Sequence, residues 1–411
     1  MRWVANKRSF ATGTWTNITP AVVDAEGRKL LIRSSDGAVI AYSSAGIKIS
    51  TDAGANYSNI TSPSTTEPLG KAHSAFFSDS ATKHYRMTTE MTDRSTIVPS
   101  IEVSTDSGQN WSVDNTESAG IYLFAFGKSP TTSSLFAGGT SIANWYIRKK
   151  SGGVGAWTTS YNAIPSGGTS GKANGFAVSS TTGVIYSVGQ ANIGSSYRWT
   201  VINSANDGAT WNTFDTYNLI GTYTAEAIAA TFSGSNLIVA GSAYDNSGNI
   251  HWIVRSWNGT SWTTLDDFID PGRLTNIPQA ILAVGSDIYV TGYVGNNTGG
   301  ASEWITRKYT AGSWSTVDRY QYNSEPARAN SIIALSTGEI LVAGQSSVNG
   351  IIRATIRKQT GSSWNTIDRF SGNGVSAYKS IGECAPGIPC AAGYSSFNTP
   401  LQQTLFRLLS P

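Results

Sequence analysis

The chain has 411 residues, a formal net charge of +3 and only 13% charged residues. Its 43 glycines disfavour helices, and its 13 tryptophans favour pleated strands. The near-neutral charge excludes the clustered basic surface of nucleic-acid-binding proteins, and 39% hydrophobic residues exclude a disordered linker. No apolar run reaches the length of a membrane span. We therefore expect a folded all-β protein that binds no nucleic acid and does not insert into a membrane.

The first ten residues, MRWVANKRSF, are predicted to form a strand. They lack the apolar segment of a secretory signal. We therefore expect Met1 to begin a fragment of a larger exported protein, placed outside the cell or on its surface.

An aromatic residue that follows a short turn recurs along the chain at intervals of 42 to 54 residues. Its positions are Trp15, Tyr57, Trp111, Trp157, Trp211, Trp262, Trp314 and Trp364. Three apolar or alternating runs precede each aromatic strand, so each unit is predicted to contain four strands. A period of about 50 residues is typical of the blades of a β-propeller.

We predict one β-propeller domain over residues 1–411, built of four-stranded antiparallel blades. The predicted blades are 20–61, 70–115, 119–162, 171–218, 223–269, 275–321, 327–371 and 375–411. The last unit lacks an aromatic fourth strand, and residues 10–19 supply one, so eight blades closed by the N-terminal strand are expected. Because the segment WVANKRS also resembles a third strand, seven blades are the alternative.

Three units contain a turn motif of the form S-x-D-x-G-x-x-W before the fourth strand. Its residues are Asp52, Gly54 and Tyr57; Asp106, Gly108 and Trp111; and Asp207, Gly208 and Trp211, with Asn206 at the acid's place in the third. The carboxylate is expected to accept hydrogen bonds from the turn, and the glycine to adopt a positive φ. The motif resembles the Asp box of BNR-repeat propellers, a family that includes sialidases and non-catalytic binding proteins. That resemblance implies that the boxes are structural turns away from the ligand.

Other units carry R-K followed by a glycine-containing turn and a tryptophan, as R-K-x-x-x-G-x-W at Arg307 and with variant spacing at Arg148 and Arg357. The combined pattern is similar to repeats of large secreted or surface-exposed bacterial proteins. A sialidase would need three arginines, a tyrosine nucleophile and an aspartic acid, and that family's F/Y-R-I-P sequence does not occur. We therefore predict a sialidase-like fold that lacks the sialidase catalytic residues.

Aligned units place polar residues at the start of their first strands, at the expected mouth of a central channel. These candidate binding residues are Lys71, His73, Lys172, Asn174, Glu226, Arg328, Asn330 and Tyr378. The loop from Asp318 to Arg328 is the densest in charged and aromatic residues and adds Arg319, Tyr320, Tyr322 and Glu325. We interpret this rim as a polar or glycan-binding site, and the alternative is that the channel-lining groups contact only water.

Four tryptophans recur at or near the start of the third strands, namely Trp145, Trp199, Trp252 and Trp304. Tryptophan can stack on the apolar faces of sugars. The periodicity of these four favours packing between blades instead.

Cys384 and Cys390 flank a turn in ECAPGIPC, a spacing that suits a disulfide across a hairpin in an oxidising compartment. A pair of reduced thiols is the alternative. The three histidines lie far away in the sequence, so no zinc site is expected, and we predict neither metal nor cofactor.

We predict a non-catalytic recognition or adhesion module of an exported bacterial protein, which binds a glycan or another cell-surface ligand. It is expected to belong to a larger multidomain or oligomeric surface protein. One alternative is a glycoside hydrolase that uses Glu226 and Glu325 as its two carboxylates. Another is a structural tip or spacer of a surface fibre.

Overall fold

The computed structural model describes residues 5–8, 15–18, 27–32, 39–43, 46–50, 58–60, 72–80, 82–91, 97–106, 108, 110–296, 301–370, 374–396 and 402–408. In these ranges the chain forms antiparallel β-sheets and a short 3-10 turn at Ser151–Gly153, with no α-helix. Hence no helix in the described part of the chain has the length and apolar character needed to cross a membrane. The predicted all-β class is confirmed.

Two small sheets come first in the chain. Strands β1 (Ala5–Arg8) and β2 (Trp15–Ile18) form a pair. A four-stranded sheet follows, made of β3 (Gly27–Ile32), β4 (Val39–Ser43), β5 (Gly46–Ser50) and β6 (Ser58–Ile60).

Six further sheets follow in chain order. One of them has eight strands, and its two four-stranded antiparallel halves are joined by a single parallel pairing of Ile250 with Thr275. We count these halves separately and number the resulting seven units sheets 1 to 7. Sheet 1 contains β7 (Ala72–Ser78), β8 (His84–Met91), β9 (Ile97–Ser104) and β10 (Ser112–Thr116). Sheet 2 contains β11 (Ile121–Lys128), β12 (Leu135–Ser141), β13 (Asn144–Lys150) and β14 (Thr158–Ala163). Sheet 3 contains β15 (Gly168–Val178), β16 (Ile185–Ile193), β17 (Ser196–Ser204) and β18 (Asn212–Tyr217). Sheet 4 contains β19 (Ala225–Ser233), β20 (Asn236–Tyr244), β21 (Ile250–Trp257) and β22 (Trp262–Phe268).

Sheet 5 contains β23 (Thr275–Val284), β24 (Asp287–Gly295), β25 (Glu303–Thr310) and β26 (Ser313–Tyr320). Sheet 6 contains β27 (Ala327–Ala334), β28 (Ile340–Val348), β29 (Ile351–Thr360) and β30 (Ser363–Phe370). Sheet 7 contains β31 (Ser376–Ala385), β32 (Ile388–Ser396) and β33 (Gln402–Leu408). Within each of these sheets, consecutive strands pair in antiparallel order. The predicted four-stranded antiparallel units are therefore confirmed in sheets 1 to 6.

The first strands of these sheets pack against one another in order. Strand β7 contacts β11, and the series continues through β15, β19, β23, β27 and β31. Strand β31 in turn packs against β7. At this last junction Ser78 Oγ donates a hydrogen bond to the carbonyl oxygen of Glu383 at 2.5 Å, and Ser380 Oγ donates to that of Phe76 at 3.4 Å. Sheet 7 therefore lies directly against sheet 1.

The expected closure by the N-terminal strand is not found in the part of the chain that the structure describes. Strand β2 pairs with β1, with Arg8 opposite Trp15, and β33 pairs with β32. Because β31 packs directly on β7, no sheet intervenes between these two strands. Eight blades are therefore not confirmed.

The four recurring tryptophans are completely buried, which confirms that they are packing residues. Three of them, Trp145, Trp199 and Trp304, point at a glycine in the second strand of the following sheet. A Cβ atom on Gly344 would lie 2.8 Å from the Trp304 ring and 2.1 Å from the carbonyl oxygen of Arg328. Equivalent approaches to a first-strand carbonyl occur at Gly139, Gly189, Gly241, Gly292 and Gly393. Only glycine fits this column without a shift of the backbone.

The arginine of the R-K motif joins neighbouring sheets. It bonds to an acid of the preceding sheet in the pairs Arg148–Glu117, Arg307–Asp266 and Arg357–Asp318. Arg255, which occupies the same place in sheet 4 without the lysine, bonds to Asp215 in the same way. The second residue of the motif, Lys149 or Lys308, also forms an ion pair. The motif therefore has a structural role.

Candidate functional site

The first strand of each of sheets 1 to 7 contains a β-bulge, where one residue is skipped in the pairing with the second strand. The skipped residues are Ser74, Phe124, Asn174, Ile228, Gln279, Asn330 and Lys379. A bulge bends the strand locally and redirects a side chain. The seven sheets thus present one bulged residue each at an equivalent position.

Six of the bulged residues line a single cavity of about 440 Å³, namely Phe124, Asn174, Ile228, Gln279, Asn330 and Lys379. The remaining lining residues are Glu226, Ser242, Ile277 and Tyr293. Sheets 2 to 7 each contribute to the wall of this cavity. It therefore lies where the first strands of consecutive sheets converge.

Glu226 belongs to a polar cluster formed by sheets 3 and 4. Its Oε1 accepts a hydrogen bond from Asn174 Nδ2 at 2.8 Å and lies 2.8 Å from Lys172 Nζ. Asn174 Nδ2 also donates to the carbonyl oxygen of Ala227 at 2.8 Å. These contacts fix the orientation of the amide, so Asn174 Oδ1 is left as an acceptor. The structure thus brings together three of the residues that the sequence singled out.

Asn330 of sheet 6 is held in the same way. Its Nδ2 donates to the carbonyl oxygen of Tyr378 at 2.7 Å, which leaves Oδ1 as an acceptor. In the neighbouring sheet, Tyr293 lies under Arg328, whose Cζ is 4.4 Å from the ring centroid. Burial raises the pKa of the Tyr293 hydroxyl, so it stays a neutral donor at physiological pH. Asn330 and Tyr293 therefore add fixed polar groups to the wall.

Lys379 lines the cavity, and sequence reasoning missed it. Its Nζ lies 5.6 Å from the centroid of the Tyr394 ring. Burial of the amine, together with the charge of Arg328, lowers its pKa from the ordinary value. In the described part of the chain no carboxylate lies within ion-pair distance of it.

Tyr378 lies in the core, not at the rim where the sequence alignment placed it. It is fully buried between sheets 6 and 7, and its hydroxyl donates to Asp368 Oδ2 at 2.7 Å. The alignment matched Tyr378 to Asn330, whereas the bulges match Lys379 to Asn330. A slip of one residue along a strand moves a side chain to the opposite face, which explains this correction.

The side chains predicted in the loop after Asp318 lie outside the cavity lining. Arg319 forms ion pairs with Asp270 and Glu303. Tyr320 is buried and accepts a hydrogen bond from Arg369 Nη2 at 2.8 Å, and the same guanidinium lies 4.7 Å from the Tyr322 ring centroid.

Glu325 caps the turn between β28 and β29. It accepts hydrogen bonds from Ser347 Oγ at 2.5 Å and from the amides of Gly350 and Asn349 at 2.8 and 2.7 Å. These bonds, that of Ser347 above all, lower the pKa of its carboxyl. Glu325 does not line the cavity with Glu226.

Two of the three turn motifs lie in the described part of the chain. Asp106 Oδ1 accepts a hydrogen bond from the Asn110 amide at 2.8 Å, Gly108 has a φ of 83°, and Trp111 Nε1 donates to the Gly108 carbonyl at 3.1 Å. Asn206 Oδ1 accepts the equivalent bond from the Thr210 amide at 2.9 Å.

Asp207, which also has a positive φ, faces the preceding sheet. It accepts hydrogen bonds from Thr132 Oγ1 and Ser134 Oγ, and Lys149 Nζ lies 2.6 Å from its Oδ2. Burial raises the pKa of its carboxyl, and the bonds from Lys149, Thr132 and Ser134 outweigh that effect and lower it. Gly208 packs below the turn against Phe136, and Trp211 Nε1 donates to Ser160 Oγ at 3.0 Å.

Cys384 and Cys390 form a disulfide across the turn between β31 and β32, with their Cα atoms 5.7 Å apart. Both are buried against Phe76 at the junction of sheets 7 and 1. Four other predicted positions, Asp52, Gly54, Tyr57 and Lys71, lie outside the described residues, and so does the side chain of His73.

No protein-family model matches the chain, and no curated protein has a significant match. Solved structures do resemble it. An ulvan lyase of polysaccharide lyase family PL25 is 11% identical with a TM-score of 0.54, and the match covers 84% of this chain and 91% of that one. The polysaccharide lyase Uly1 is 9% identical with a TM-score of 0.53, covering 86% and 92%. The Hadza microbial sialidase Hz136 is 11% identical with a TM-score of 0.46, covering 92% and 74%. At these identities the likeness concerns the fold alone.

Proposed function

We propose that this protein is a carbohydrate-binding module and that its glycan ligand binds in the cavity between the first strands. The observation that carries the proposal is the lining of that cavity by one bulged residue from each of six consecutive sheets. A repeated frame with a different side chain at each equivalent position can recognise one ligand from several directions.

We further propose that sheets 1 to 7 form a seven-bladed β-propeller within a single domain. The support is the order in which the first strands pack, because the series that begins at β7 returns to β7 through β31. The hydrogen bonds of Ser78 and Ser380 across the last junction support the same closure. In such a ring the cavity is the central channel.

The chemistry of the lining suits a sugar. Sugars need hydrogen-bond partners for their hydroxyls and apolar or aromatic surfaces for their faces. Asn174, Asn330 and Glu226 provide fixed oxygen acceptors, while Tyr293 and Phe124 provide aromatic surface. The fold likeness to polysaccharide lyases supports a polysaccharide as the ligand class.

A recognition or adhesion role in an exported bacterial protein is consistent with these features. The disulfide between Cys384 and Cys390 supports an oxidising compartment, because such bonds persist mainly outside the cytosol. We propose that the ligand is a glycan of a cell surface or an extracellular matrix.

The glycoside hydrolase alternative requires Glu226 and Glu325 at one site, and only Glu226 lines the cavity. A glycosidase places two carboxylates about 5 to 10 Å apart at the substrate. Glu226 is the one carboxylate among the described residues that line the cavity, and Glu325 is held in a turn. We therefore retain binding as the proposed function.

The test is a glycan array probed with the wild-type protein, followed by titration of each hit in solution. We expect Asn330→Ala and Asn174→Ala to weaken binding about fivefold each, because each removes one hydrogen bond to a sugar hydroxyl. Asn144→Ala is the matched control, since its Nδ2 bonds Asn162 Oδ1 outside the cavity. A blank array with folded protein, or equal losses in all three variants, would overturn the proposal.

A further inference from the structure

We propose that Lys379 and Arg328 form an anion subsite in this cavity, so that the ligand carries a carboxylate or a sulfate ester. This inference rests on the proposed function and specifies the class of glycan. It begins from two cationic side chains, neither of which forms an ion pair with a described residue.

Lys379 is aimed into the cavity by the bulge in β31. Its recorded contact is with the face of Tyr394, at 5.6 Å from the ring centroid, and no described carboxylate neutralises it. The residue is exposed, so its ammonium group is accessible to an incoming anion. Burial of the amine and the charge of Arg328 lower its pKa from the ordinary value.

Arg328, at the start of β27, lies beside the cavity, because it contacts Tyr293 of the lining. Its Nε donates to the neutral Ser302 Oγ at 3.2 Å, and its guanidinium stacks on Tyr293. By contrast, four third-strand arginines, Arg148, Arg255, Arg307 and Arg357, bond to carboxylates. Arg328 forms no ion pair with the described residues.

The two charges also act on each other, because the charge of Arg328 contributes to the lowered pKa of Lys379. Like charges placed together without a counter-ion destabilise the empty site, and a bound anion removes that repulsion. An anion at this position therefore gains both from direct attraction and from relief of the repulsion.

The rest of the cavity directs the acidic group to this side. Glu226 on sheet 4 is already neutralised by Lys172 at 2.8 Å. That region offers oxygen acceptors, which suit hydroxyl groups and repel anions. An acidic sugar would therefore place its charged group at sheets 6 and 7 and its hydroxyls towards Asn174 and Glu226.

The experiment uses an array of neutral and acidic glycans, with each acidic hit also tested as its carboxyl methyl ester or desulfated form. We expect the hits to be acidic and the neutralised forms to bind at least tenfold more weakly. Lys379→Gln and Arg328→Gln should each weaken acidic hits about tenfold, whereas Lys379→Arg should retain binding. Lys358→Gln is the control for loss of one positive charge, because Lys358 pairs with Glu339 outside the cavity.

Each result has a defined meaning once circular dichroism shows that the variants are folded. Neutral hits that depend on Asn330 would overturn the anion subsite and leave the proposed function standing. Acidic hits unaffected by Lys379→Gln and Arg328→Gln would also overturn the subsite. Inorganic sulfate that binds as tightly as the glycans would identify a free anion as the ligand and overturn a glycan-specific subsite. A blank array would overturn the proposed function and this inference with it.

Discussion

Replacing Trp304 by alanine should lower the free energy of unfolding by about 3–5 kcal/mol, the range for removing a large aromatic from a core. Trp304 is completely buried, and its ring meets Tyr320 edge-on at 6.2 Å between centroids. It also fills the space beside Gly344, at the junction of sheets 5 and 6. Backbone atoms of Gly344 and Arg328 line this junction. The structure therefore has little freedom to collapse into the cavity that alanine would leave.

The control for this prediction is Trp314→Ala in the same sheet. Trp314 lies on the outer strand, is only partly buried and packs on Tyr309 at 5.4 Å between centroids. We expect it to cost about 1–2 kcal/mol, since less apolar surface returns to water. Urea unfolding followed by circular dichroism measures both. If Trp304→Ala cost no more than Trp314→Ala, the third-strand tryptophans would not be the main packing residues between sheets.

Replacing Asp318 by asparagine should destabilise the protein by about 3–5 kcal/mol, because it leaves a buried guanidinium without its anion. Arg357 Nε and Nη2 donate to both carboxylate oxygens of Asp318, at 2.7 and 2.6 Å. The side chains of the pair are only 9% and 4% exposed. Thermal and urea unfolding of the variant test this directly.

Replacing both Arg357 and Asp318 by apolar residues should cost less stability than replacing Asp318 alone. Removing both partners leaves no buried charge without its counter-ion, because leucine and methionine replace the pair with apolar side chains. Arg357→Met combined with Asp318→Leu should therefore be more stable than Asp318→Asn alone. A double variant as unstable as the single one would contradict this account.

An exposed pair provides the control. Lys358 and Glu339 are 26% and 35% exposed, and Glu339→Gln should cost less than about 1 kcal/mol. A comparable loss in Glu339→Gln and Asp318→Asn would show that burial does not set the cost.

The repeat itself was predictable from the sequence. The interval of about 50 residues and the aromatic fourth strands predict the four-stranded units, and sheets 1 to 6 each contain four antiparallel strands. The periodic tryptophans such as Trp145 predict a buried column in the same way. These features repeat, so each copy supports the interpretation of the others.

The cavity lining was only partly predictable. Asn174, Asn330 and Glu226 were found, but the alignment assumed a constant register and so selected Tyr378 in place of Lys379. The bulges shift the register by one residue, and the signal that marks them is the glycine column of the second strands, from Gly139 to Gly393. Each of these glycines lies opposite the first strand just before its bulge.

The loop after Asp318 was predicted to bind a ligand because it is dense in charged and aromatic residues. Its charged and aromatic residues are dense because they pair with neighbouring sheets, as Arg319 does with Asp270. Composition alone does not separate residues that bind a ligand from residues that bind another part of the chain.

A crystal structure of the protein with an oligosaccharide from the array tests directly whether the cavity is the glycan site. We expect the sugar in the cavity, within hydrogen-bond distance of Asn174 and Asn330, with its acidic group at Lys379 and Arg328. A sugar bound on an outer strand or a turn, with the cavity free of it, would show that the cavity is not the glycan site.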